Sequence, residues 1–142
     1  MSRELRDMAV HYAWQWVGHW YAWGGDDPSG FDCSGLVVEI LQAVGKLPTT
    51  VDLSAAGLWE YFRGTRHQVP APGRLVFYGT EQRVQHVAFA VSTTLAIGAD
   101  GGGRFVKSIE DAIRHNAFVK LRPIHYRSDF LGCADPFEDE RT

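Results

Sequence analysis

The stretch Gly30-Phe31-Asp32-Cys33-Ser34-Gly35-Leu36-Val37-Val38-Glu39-Ile40-Leu41-Gln42-Ala43-Val44 passes from a glycine-bounded turn straight into an apolar-striped segment. Leu36, Ile40 and Val44 fall on one stripe with Val37 and Leu41 beside it, and Gly45 and Pro48 close the segment. This spacing predicts a largely buried helix beginning at Cys33 or Ser34. Upstream, Leu5, Met8, Ala9, Tyr12, Ala13 and Trp16 recur at three- and four-residue intervals, predicting a helix from Arg3 to about Val17 that Gly18 ends. Tyr21 to Gly30 is dense in turn formers and reads as a loop. Downstream, Leu58, Trp59 and Phe62 predict a third helix over Leu53 to Arg63 with Gly64 as its stop.

After Pro70-Ala71-Pro72-Gly73 the pattern turns to short β-branched and aromatic runs: Leu75–Tyr78, His86–Val91, Leu95–Ala99, Phe105-Val106 and Phe118–Leu121. These read as strands. Helices first and strands after, joined by short connections, predict an α+β domain with the N-terminal helices packed on one side of a central antiparallel β-sheet. At 142 residues, 45% of them hydrophobic and 22% charged, the chain suits one domain over residues 1–142.

A formal charge of −3 leaves no cationic surplus for phosphates, which argues against nucleic acid and anionic membranes as partners. The charged start Met1-Ser2-Arg3-Glu4-Leu5-Arg6-Asp7 lacks a signal-peptide core, and no apolar run reaches membrane-spanning length. The expectation is a monomer made in the cytoplasm, with a frayed acidic tail at 138–142.

Cys33 stands where the helix begins. Unpaired N–H groups and the positive end of the macrodipole favour a thiolate there and offer donors to an oxyanion. The competing reading is an inert, buried thiol. Cys133, in Leu131-Gly132-Cys133-Ala134-Asp135-Pro136, is far from any helix start and is read as that inert kind. A thiol nucleophile needs a base, and His86 is singled out among six histidines because it opens a strand. Val87, Phe89 and Val91 point one way from that strand and His86, Ala88 and Ala90 the other. The small alanine face predicts a closely packed helix opposite the imidazole, namely the one Cys33 heads. Gly101-Gly102-Gly103 lacks the Lys-Ser/Thr pair of a phosphate cradle. No histidine or acid cluster has metal-ligand spacing, so neither metal nor cofactor is expected.

Taken together, Tyr21-Ala22-Trp23-Gly24-Gly25, Phe31-Asp32-Cys33-Ser34-Gly35-Leu36-Val37, Leu47-Pro48, Pro72-Gly73-Arg74-Leu75-Val76-Phe77-Tyr78 and His86-Val87-Ala88 resemble, in order and spacing, the NlpC family of papain-like cell-wall peptidases. The resemblance covers roughly Val17 to Ala99. It implies a papain-like fold, Cys33 as nucleophile and His86 as its base. The implied substrate is a peptidoglycan stem peptide or muropeptide, cut between D-glutamate and a diamino acid. It also implies that Tyr21 reaches the substrate or oxyanion, and that Asp32 and Ser34, flanking the nucleophile, contact the peptide. A helix-capping role is the alternative for Asp32.

Two positions depart from the family pattern. The polar residue that orients the imidazole, about twelve positions after the histidine, is here Gly98. Asp100, on the same strand face, is the expected substitute, with a backbone carbonyl or water as the alternative. Arg74 stands where the family usually has Asp. The resemblance leaves other uses open: an amidase or acyltransferase on another amide or lipid substrate, or a non-catalytic module of a phage structure. A virion-associated or otherwise delivered wall enzyme also fits.

Overall fold

Side-chain alternation along β-strands decides how this molecule is layered. The computed structural model describes residues 2–20, 26–27, 30–100, 108–115 and 117–138. In chain order its elements are α1 (Ser2–Gln15), β1 (Asp26–Asp27), β2 (Gly30–Phe31), α2 (Cys33–Ala43), α3 (Ala55–Tyr61), β3 (Arg66–His67), β4 (Leu75–Thr80), β5 (Arg83–Ala90), β6 (Leu95–Asp100), α4 (Ile109–His115), β7 (Phe118–Pro123) and β8 (Phe130–Ala134). β1 and β2 form a small antiparallel pair just ahead of α2. The other six strands form one antiparallel sheet in the order β3-β8-β4-β5-β6-β7.

On one face of this sheet, Leu75, Phe77, Val87, Phe89, Ile97 and Val119 pack with Ala9 and Ala13 of α1, Leu36, Val37, Ile40 and Leu41 of α2, and Leu58 and Trp59 of α3. Removing side chains such as Leu36, Ile40 and Leu41 fully from water stabilises the fold by about 1.5–3 kcal/mol each. That is why α2 holds its place against β5 and β6. On the other face a smaller cluster joins Val76, Tyr78, Ala88, Ala90, Ala96, Ile124 and Cys133. The predicted α+β architecture with helices on one side is therefore the observed one.

Some elements differ from expectation. The first helix gives way to turn at Trp16, and Gly18 follows in a left-handed conformation with φ +96. α3 starts later than Leu53 because Ser54 caps it, its hydroxyl accepting the Gly57 N–H at 3.0 Å. β1, which falls in the expected Tyr21–Gly30 loop, its partner β2, β3, β8 and α4 were not anticipated, and the expected strand at Phe105-Val106 lies outside the described residues. Glu138, read as part of a frayed tail, is engaged: its carboxylate meets His67 Nε2 at 2.7 Å and Arg74 Nη2 at 3.6 Å.

Arg74 belongs to an ion-pair cluster at the join of three chain segments. Asp135, 1% exposed, accepts from Arg6 Nη1 of α1 at 3.0 Å and from Arg74 Nε at 3.1 Å. Burial pushes the Asp135 carboxyl upward, but the hydrogen bond from Arg6, the Phe137 N–H and Arg74 outweigh it and hold the group below the usual carboxylate range. His67, Asp135 and Glu138 bring their ligating atoms within 4.8 Å of one another. The two guanidinium groups already balance that negative charge. The departure at Arg74 thus serves an anchoring contact of the C-terminal segment.

Candidate active site

Cys33 is the first residue of α2 and is half-buried against the helical core. Asp32, with extended backbone (φ −90, ψ 179), is the N-cap. Its Oδ1 accepts the Gly35 N–H at 2.6 Å, and its backbone carbonyl accepts the Leu36 N–H at 3.1 Å. The capping role open for Asp32 is therefore real, and it fixes the turn on which the thiol stands. Ser34 is half-buried, its hydroxyl 3.5 Å from Asp32 Oδ1.

His86 lies in β5, is 7% exposed and pairs across the ladder with Tyr78 of β4. The two rings are 5.5 Å apart at 39°. β4 carries register shifts on both sides of Tyr78, toward β5 and toward β8, and Gly79 follows with φ +120. A side chain at position 79 would run into the Arg83 carbonyl, so glycine lets the strand bulge where it passes His86.

The helix expected on the alanine side of β5 is not there. Val87 and Phe89 seat α2, whereas Ala88 and Ala90 join the opposite cluster, with Tyr126 and Phe130 packed at its margin. Large side chains fill the wide gap between a helix layer and a sheet. Small ones here leave room for aromatic rings. α2 does pack against β5, the strand of His86, but across its other face.

Gly98, on β6, is turned toward the same side as His86. A Cβ at this position would lie 3.8 Å from His86 Nε2 and 3.1 Å from the Ala88 methyl. Position 98 thus addresses the imidazole as the family pattern implies, without a side chain to do so. Beside it is a cavity of about 10 Å³ whose walls include His86, Tyr78, Gly98, Lys120, Arg122 and Tyr126. Tyr78 donates its hydroxyl proton to the Ile124 carbonyl at 2.7 Å. The Asp100 backbone closes β6 opposite Phe118; its side chain, and Tyr21 altogether, lie outside the described residues.

Two features escaped the sequence reading. One is Tyr78, legible only as a strand residue until its pairing partner is known. The other is the bidentate ion pair of Arg127 and Asp129, at 2.9 and 2.8 Å, with the guanidinium 5.2 Å from the centre of the Tyr78 ring. Hydrogen bonds from Arg127 hold the Asp129 carboxyl below its usual range against the opposing effect of burial, with a small electrostatic contribution from His86 in the same direction. The pair ahead of β8 is therefore within electrostatic reach of the imidazole. No disulfide joins Cys33 to Cys133. Burial pushes the Cys133 thiol up to about 12, which leaves it protonated and unreactive at neutral pH.

The NlpC/P60 family model matches residues 18–122. Protein P54 of Enterococcus faecium is 33% identical over 100 residues, covering 68% of this chain and 17% of that protein. The probable peptidoglycan endopeptidase LytE of Bacillus subtilis is 30% identical over 97 residues, covering 68% of this chain and 28% of LytE. The chain thus spans well under a third of the length of these curated relatives. Among solved structures, the NlpC/p60 domain of the peptidoglycan hydrolase SagA superposes with a TM-score of 0.67 at 24% identity, covering 92% of this chain and 97% of that one. The peptidoglycan hydrolase RipB of Mycobacterium tuberculosis gives 0.69 at 22%, covering 97% and 67%. At such identities the likeness to solved structures speaks for the fold.

Proposed function

The chain belongs to the NlpC/P60 family, and from that premise we propose that it is a cysteine endopeptidase of peptidoglycan stem peptides, cutting between D-glutamate and a diamino acid. The observation that carries this reading is the placement of Cys33 as first residue of a capped, buried helix that packs on the strand of a buried histidine.

In this reading His86 takes the thiol proton and the Cys33 sulfur attacks the amide carbonyl, forming a tetrahedral oxyanion. The Gly35 and Leu36 N–H groups are committed to Asp32, so stabilising the oxyanion falls to the N–H groups before them, of Cys33 and Ser34. Collapse breaks the C–N bond as His86 returns the proton to the leaving amine. Water, deprotonated by His86, then hydrolyses the thioester and regenerates the thiol. Since Nε2 faces Gly98, Nδ1 is the nitrogen that serves the sulfur. Asp32, the Ser34 hydroxyl and Tyr21 supply the peptide contacts in this reading.

The bare position 98 favours a second reading, a non-catalytic module. Incubating the protein and its Cys33→Ala variant with muropeptides, followed by mass spectrometry, separates the two. Fragments from D-glutamyl–diamino acid cleavage, absent with the variant, are expected. Intact muropeptides alongside a folded protein whose Cys33 resists alkylation would favour the module, and products unchanged by the substitution would remove Cys33 from the chemistry.

A further inference from the structure

A group that hands a proton to a leaving amine stands beside that amine. With His86 in this role, the diamino acid on the leaving side of the cut lies along one flank of the imidazole. Toward β4 that flank is filled by the Tyr78 ring, 5.5 Å away, with Tyr126 and Phe130 packed on it. Toward β6 it is low, because position 98 has no side chain and even a Cβ there would lie 3.8 Å from His86 Nε2. The walls of the adjoining cavity run from His86 across Gly98 to Lys120. At about 10 Å³ the cavity is too small to take in a substrate side chain, so the leaving residue passes over Gly98 toward β7.

Lys120 is what it meets there. This residue pairs with Gly98 across the β6–β7 ladder and is half-buried. Directly paired residues share a sheet face, so Lys120 belongs to the face of Gly98 and His86. Its ammonium lies 4.6 Å from the centre of the Phe118 ring, a contact that steadies the cation without neutralising it. Among the described residues no carboxylate pairs with Lys120. Arg122, on the same walls, is engaged, its guanidinium 4.7 Å from the centre of the Tyr126 ring, and on the β4 side Arg127 is matched by Asp129. A half-buried ammonium without a carboxylate attracts an anion and repels a second cation.

We propose that Lys120 is a specificity-determining residue that receives a carboxylate on the side chain of the leaving diamino acid, selecting stem peptides in which that residue is also a diacid. The proposal rests on the reading of the chain as a D-glutamyl–diamino acid peptidase with His86 as its base. A diamino diacid ends in an ammonium and a carboxylate that balance, whereas lysine, or the diacid once amidated, brings a net positive charge to the same place. Lys120 tells them apart by attraction in one case and repulsion in the other. Glycine at position 98 then has a use, since it clears the path from the imidazole to the ammonium.

The test uses three synthetic stem peptides that differ only in the residue after D-glutamate: diaminopimelate, its side-chain amide and lysine. The unaltered protein should cut the first with kcat/KM about 10-fold above the other two, the scale of one charge-assisted hydrogen bond. Lys120→Gln should erase that preference, Lys120→Arg should keep it, and Lys120→Glu should turn it toward lysine. A merely structural role for Lys120 would not produce such a reversal. Equal kcat/KM for the three peptides overturns the proposal, as does a preference that survives Lys120→Gln. If the unaltered protein cuts none of them, the proposed activity fails, and the affinities of the same peptides for the Cys33→Ala protein, measured by titration calorimetry, judge Lys120 separately. Tighter binding of the diacid peptide, lost when Lys120→Gln is added, upholds the site, and equal affinities remove it.

Discussion

The two faces of the six-stranded sheet are built from the same strands, often from adjacent residues, yet they do opposite work. Toward the helices, β4, β5 and β6 present Leu75, Phe77, Val87, Phe89 and Ile97, all fully buried. Toward the other side the same strands present Val76, Tyr78, His86, Ala88, Ala96 and Gly98, a mixture of small residues, a tethered phenol and an imidazole. The first face is filled by volume. The second is shaped by what is left out: Gly98 and the alanines make the space in which a polar ring can be buried. A strand period of two lets one segment stabilise a fold on one side and hold chemistry on the other.

If this division holds, substitutions on either side should fail in different ways. The largest effect is expected from Cys33→Ala, with turnover lowered by about 10⁴-fold or more and a melting temperature that stays close to the parent's. Joint loss of activity and stability would mean that the thiol is a packing element. Phe77→Ala should cost about 4 kcal/mol in denaturant unfolding through the cavity it opens against Trp59, whose ring centre is 5.0 Å away. A cost under about 1 kcal/mol would show that the helix face is not the load it is taken to be.

Asp135→Ala should cost about 3 kcal/mol, since it leaves Arg6 and Arg74 without their shared anion. The folded-state carboxyl of Asp135 is depressed. Its contribution is therefore full above the unfolded-state value, about 3.9, and is lost as pH falls through the lower folded value. Acid titration of stability should be flatter in the variant than in the parent. The smallest effect is that of Asp32→Ala, about 1 kcal/mol from the lost cap, which should be visible in the unfolding midpoint. A further drop in the alkylation rate of Cys33 is expected if the capped turn also tunes the thiol.

Much of this organisation was legible in the sequence because it rests on periodicity. α1, α2 and α3 carried helical stripes, β4 to β7 carried strand signals, and Cys33 was marked by its place at a helix start. β8 left no such mark. Phe130-Leu131-Gly132-Cys133-Ala134 lies between β3 and β4, with Ala134 buried in the helix-side cluster and Cys133 in the opposite one, and a strand buried on both faces need not alternate. α4 escaped because its segment has little apolar stripe, and Ile113 is 56% exposed. For His86, alternation named the residues that share its face but not the layer that face meets. Ala88 and Ala90 announced a close approach, and only the tertiary structure tells that aromatic side chains rather than α2 make it.

The position of β8 also bears on when the protein becomes competent. Residues 130–134 lie between β3 and β4, one strand in from the sheet edge, and Phe130 pairs with Tyr78, the neighbour of His86. Closing β8 onto β3 and β4 spans a long stretch of intervening chain, a slow and entropically costly contact. On a ribosome, the helices and the β4–β5 hairpin can assemble while β8 is still inside the exit tunnel. The wall beside the imidazole cannot. A nascent chain holding both Cys33 and His86 would therefore lack the wall beside the imidazole until residues 130–134 had been released and inserted.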